Sequence, residues 1–129
     1  MQEQLISFET AKLAKEKGFD FKVYKEEKIY DKLGYLLKPE DEVFPGVEHF
    51  PASSQSLLQK WLREVHGINI FMTFKPNIKK WDFIPYLMNM NAKEYIEYNS
   101  NYTKQNNERR FDTYEEALEI GLQEALKLI

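Results

Sequence analysis

The chain has no cysteine, only two histidines and only five glycines in 129 residues. Without cysteine there is no thiol nucleophile, no disulfide and no thiolate zinc site, which fits a reducing compartment. His49 and His66 do not stand at a metal-ligand spacing such as i, i+4 on one helix. His66 has a plainer role at the end of a helix, where a cation interacts well with the dipole. No glycine-rich phosphate loop and no G-x-S-x-G elbow is present. The acidic pairs Glu26/Glu27, Asp41/Glu42 and Glu115/Glu116 are sequence neighbours, whose side chains point apart on a strand or helix. These absences predict a protein that is not an enzyme, with no catalytic residues, no metal and no cofactor.

Long apolar runs are missing too. No stretch approaches the roughly 18 residues of a membrane span. The N-terminus lacks the apolar centre of a signal peptide, so the expected location is cytoplasmic and Asn101-Tyr102-Thr103 is a chance glycosylation triplet. Charge is nearly balanced, with 21 acidic and 18 basic residues and a net charge of -3. Proteins that bind phosphate backbones in general carry a clear positive excess.

Apolar side chains are plentiful. Hydrophobic residues make up 43% of the chain, enough for a packed core in one domain, residues 1–129. Ser7 caps a first helix whose stripe is Leu5, Phe8, Ala11, Leu13 and Ala14, and Gly18 ends it. Phe19, Phe21, Val23 and Ile29 alternate with polar residues as in a half-buried strand, and "YDKLGYLL" offers a second strand after a turn. These make an N-terminal segment, 1–37. Residues 38–52 read as a loop rich in proline and acid, which extends to Ser54.

The segment 53–129 reads as helix, strands, helix. Ser53 or Ser54 caps "QSLLQKWLREVH", in which Leu57, Leu58, Trp61, Leu62 and Val65 share one face and Gln55, Gln59, Lys60, Arg63 and Glu64 the other. That spacing makes Trp61 a core anchor. "INIFMTF" is nearly all apolar, which predicts a central strand or one covered on both faces. "KPNIKK" is a turn, and "WDFIPYLMNM" is a strand whose Pro85 places it at an edge or a bulge. "EYIEY" fits either a helical turn or a third strand, and "NSNYTKQNNERR" reads as a polar loop. Thr113 and Glu116 form a capping box for a final helix with Tyr114, Ala117, Leu118, Gly121, Leu122, Ala125, Leu126 and Ile129 on one face. The expected fold is α+β, a small antiparallel sheet with two or three helices packed on it.

Two surfaces are candidates for function. Nine phenylalanines, eight tyrosines and two tryptophans exceed what a core of this size readily hides, and surface aromatics favour interfaces. Trp81, Phe83, Tyr86, Tyr95 and Tyr98 are the candidate contact residues, for a protein partner or a second copy of the chain. The alternative is weak nucleic-acid binding through Lys60, Arg63, Lys75, Lys79, Lys80, Arg109 and Arg110, with aromatics between them to stack on bases. The element order from Ser53 to Ile129 is similar to a double-stranded RNA-binding domain. That family opens its last helix with lysines, whereas this chain has "TYEEALE", which repels phosphate.

"SFETAKLAKEKGF", together with "SLLQKWLREVHGINI" and "TYEEALEIGLQEALKLI", resembles a family of short uncharacterised proteins of gut bacterial genomes and of their phages and prophages. The matched segments cover about a third of the chain. The resemblance implies a phage or mobile-element setting, and it carries no activity, ligand or catalytic residue.

Overall fold

The computed structural model describes residues 4–19, 29–37, 48–106 and 109–129. Among these residues it is an α+β protein with four helices and two small antiparallel sheets, each of two strands. The chain forms two compact units, Met1–Leu58 and Gln59–Ile129. Their boundary in sequence falls inside a helix rather than in the proline-rich segment 38–52.

In the first unit, Ser7 ends an extended segment and its side chain accepts from the Thr10 amide, which starts α1 (Phe8–Glu16). Thr10, Ala11 and Ala14 are the buried face, and Gly18 leaves the helix at φ 93°. β1 (Ile29–Tyr30) pairs antiparallel with β2 (Phe50–Pro51). Phe8 packs on Tyr30 and Phe50, and the Tyr30 hydroxyl donates to the Ile6 carbonyl at 2.6 Å. "YDKLGYLL" contains a turn instead of following one. The Asp31 carboxylate accepts from the Leu33 and Tyr35 amides, and Gly34 takes φ 92°. The end of the expected loop is structured as well, since Phe50 to Ser54 are buried and Ile6 N–H donates to the Ser53 carbonyl. The expected strand residues Phe21 and Val23, and residues 38–47 of the loop, lie outside the described residues.

α2 (Gln55–His66) is capped by the Ser54 hydroxyl, which accepts from the Leu57 amide at 3.2 Å, and Gly67 at φ 64° ends it. Leu58, Trp61 and Leu62 are buried. Two positions depart from the expected faces: Gln55 is buried, its N–H donating to the Gln4 carbonyl, and Val65 is 58% exposed.

The second unit is built on a hairpin. β3 (Ile68–Lys75) and β4 (Lys80–Leu87) pair along their whole length, Ile68 opposite Leu87 and Lys75 opposite Lys80. Lys79 closes the turn at φ 54°. The pleat puts Ile68, Ile70, Met72 and Phe74 on one face with Trp81, Phe83, Pro85 and Leu87. α4 (Tyr114–Leu126) packs on this face and buries Ala117, Leu118, Gly121, Leu122, Ala125 and Leu126. The approach is close at Gly121, where an added Cβ would lie 3.2 Å from Ile70 and Phe83. Thr113 caps α4 as expected, accepting from the Glu116 amide at 3.1 Å.

β3 is not central: among the described residues it pairs with β4 alone, and Phe71 and Phe74 remain 50% and 44% exposed. Its apolar run reflects one covered face and one uncovered one. The polar stretch expected as a loop is largely helix, α3 (Ala92–Asn106). Asn91 starts it by a reciprocal cap, its side chain accepting from the Glu94 amide and donating to the Glu94 carboxylate.

Candidate functional site

The five candidate aromatics do not form one patch, because β4 alternates. Trp81 and Phe83 point to the α4 face and Tyr86 to the other. Phe83 is fully buried and offers a partner nothing. Trp81 lies 5.0 Å from the Phe74 ring and 5.2 Å from the Tyr114 ring. Tyr86 meets Tyr95 edge-on at 5.1 Å, and its hydroxyl accepts from the Asn69 amide group. This pair borders a cleft of about 250 Å³ with Met88, Met90 and Ala92. Tyr98 turns inward, and its hydroxyl donates to the Pro85 carbonyl.

The basic candidates are largely committed to carboxylates. Lys75 pairs with Asp82 at 3.3 Å, Lys80 with Asp112, and Lys60 with Glu64 at 4.0 Å. Arg109 is only 17% exposed and serves as a hub instead of a phosphate contact. Its guanidinium donates to Tyr102 and Glu124 at 2.8 and 2.9 Å, and to Asp82 and the Phe83 carbonyl at 3.2 and 2.8 Å. It also lies over the Phe83 ring, 3.9 Å from the centroid. Burial lowers the Arg109 pKa, but the bonds to Tyr102 and Glu124 outweigh this and leave it raised. Burial, then the bond to Glu124, holds the Tyr102 hydroxyl protonated well beyond the ordinary tyrosine range. Tyr98 is raised for the same first reason, with the Glu124 charge adding to it. Arg63, Lys79 and Arg110 are exposed on α2, on the hairpin turn and just before Phe111. Two acids are thus brought together, Asp82 and Glu124, and Arg109 bonds to both.

Together these contacts cover one edge of the hairpin. The residues of β4 whose backbone points away from β3 are Trp81, Phe83, Pro85 and Leu87. Trp81 exchanges both backbone bonds with Phe111, at 2.8 and 3.1 Å. Phe83 donates to the Asp82 carboxylate and accepts from Arg109. Pro85 has no N–H, and Tyr98 takes its carbonyl. The Leu87 carbonyl accepts from Met90. Along the opposite edge β3 makes no backbone bond outside the hairpin at Ile68, Ile70, Met72 or Phe74 among the described residues, while Ile68 and Ile70 are buried. Sequence reasoning missed Phe71, which is now the most prominent apolar side chain of that strand. The signal against it was the unbroken apolar run, which cannot tell a strand covered on both faces from one left open.

Among the described residues no group of acids and histidines could hold a metal ion, and no helix is long and apolar enough to cross a membrane. Comparison with protein-family models, with curated proteins and with solved structures finds no match.

Proposed function

We propose that this chain is a self-associating accessory protein that works by docking rather than by catalysis. The observation that supports this is the exposure of Phe71 and Phe74 on a strand whose partner strand is covered along its own outer edge. A long apolar strand edge normally carries a charge, a proline or a bulge to prevent pairing. β3 has only Lys75, at its last position. The resemblance to short phage and prophage proteins suggests a cytoplasmic, mobile-element setting.

Size-exclusion chromatography with light scattering over a concentration series tests the reading. The expected result is a dimer mass for the natural chain and a monomer mass for Phe71→Lys, which puts a charge in place of an exposed apolar ring. A monomer at the highest concentration reached would sink the proposal.

A further inference from the structure

We infer that α3 is a strap, which lifts and unfolds as one unit while the hairpin and α4 stay folded. Its opening bares the Pro85 carbonyl on the outer edge of β4 and the side of Tyr86 that Tyr95 covers. The device belongs to the single chain and does not depend on self-association.

The chain is tied to the hairpin on either side of α3. Before it, the Met88 N–H donates to the Gly67 carbonyl at 2.7 Å. After it, Arg109 donates to the Phe83 carbonyl, and Phe111 exchanges both backbone bonds with Trp81. These bonds belong to residues outside α3 and survive its departure. Arg109 then loses Tyr102 but keeps Asp82 and Glu124.

The hold on α3 itself is of another kind. α4 buries six residues, whereas α3 buries none. Burial of apolar surface is the chief source of stability, so α4 is bound to the hairpin far more firmly than α3. The inward side of α3 is Tyr95, Tyr98 and Tyr102, each half-buried. Tyr95 meets Tyr86 edge-on, Tyr98 donates to the Pro85 carbonyl, and Tyr102 donates to Glu124. On the outer side Lys93, Ile96, Glu97, Ser100 and Lys104 are all exposed. Opening exchanges each hydroxyl bond for one to water, so the net hold of such a pin is small. A helix of 15 residues is marginal by itself in water. Once lifted, α3 therefore melts, and its amides exchange with solvent.

Hydrogen exchange of the whole chain, read segment by segment with mass spectrometry across low urea, tests the strap. An opening confined to α3 exposes little surface, so the exchange of its amides should hardly respond to urea. The amides of α4 should follow global unfolding and quicken as urea rises. Two conservative variants separate the parts. Ile70→Val thins the core beneath α4, where Ile70 is 3% exposed. It should quicken α4 exchange by roughly two- to tenfold and leave α3 unchanged. Tyr98→Phe removes a pin and should quicken α3 exchange by about three- to tenfold. Equal urea dependence of α3 and α4, or an Ile70→Val variant in which both quicken together, would show that α3 opens only with the rest and would overturn the strap. An α3 rate unmoved by Tyr98→Phe would overturn it as well.

Discussion

Arg109 lies among Asp82, Glu124 and Tyr102, with its guanidinium over the Phe83 ring. Among the described residues, removing it leaves Glu124 with only the Tyr102 hydroxyl and Asp82 with Lys75 as its one cation, and both carboxylates are mostly covered, with 31% and 15% of their side chains exposed. Arg109→Ala is therefore expected to cost about 3 kcal/mol in urea unfolding, the low end for a broken buried pair because part of the network still touches water. Arg109→Lys should recover little of it, since an ammonium cannot reproduce the fork of bonds or the stacking. The two tyrosines beside it give a pH signature. Tyr98 and Tyr102 are raised above the usual value of about 10, chiefly by burial. The folded state holds these protons more tightly than the unfolded state. Its stability from this source is complete below pH about 10 and is lost as pH rises through the folded values. Absorbance titration should show Tyr98 and Tyr102 ionising late, only as the protein unfolds. Tyr98→Phe and Tyr102→Phe should each remove one. None of this was visible in the sequence, where "NNERR" reads as a basic pair in a polar loop.

At the scale of elements, caps were legible and covers were not. Ser7, Ser54 and Thr113 cap their helices because a side-chain oxygen one residue before a helix accepts its orphan N–H wherever the helix lies. α3 was missed although its marks were present: the Asn91–Glu94 cap, and Tyr95, Tyr98 and Tyr102 at three- and four-residue spacing. It buries no residue fully, so it lacks the apolar stripe by which helices are recognised. α4 bears on the hairpin at Gly121, and Gly121→Leu should cost about 1–3 kcal/mol by forcing Ile70 and Phe83 apart, read as a lower melting temperature. Trp61, 5% exposed on α2, is the core anchor that its spacing implied. Trp61→Ala should cost about 3–5 kcal/mol in the same measurement, and a near-natural melting temperature would show the ring to be dispensable.

For the whole molecule, four of the seven basic residues that suggested nucleic acid, Lys60, Lys75, Lys80 and Arg109, are in ion pairs, and Arg63, Lys79 and Arg110 are exposed on separate elements. Titration with labelled RNA and DNA at low salt, the most permissive condition, should show no saturable binding. The self-association proposed above would instead cover Phe71 and Phe74, half-exposed on β3. The sequence by itself determined the α+β class, the helix caps, the tight turns at Gly18 and Gly67, and the lack of a thiol or a paired-histidine site. All of these depend on residues within a few positions of one another. Only the tertiary structure decided that the outer edge of β4 is covered. That depends on Phe111, Arg109 and Tyr98 reaching the outer edge of β4 from 13 to 30 residues away. Two strands with similar apolar runs thereby end in different surroundings, β4 bonded along its outer edge and β3 with Phe71 and Phe74 half-exposed.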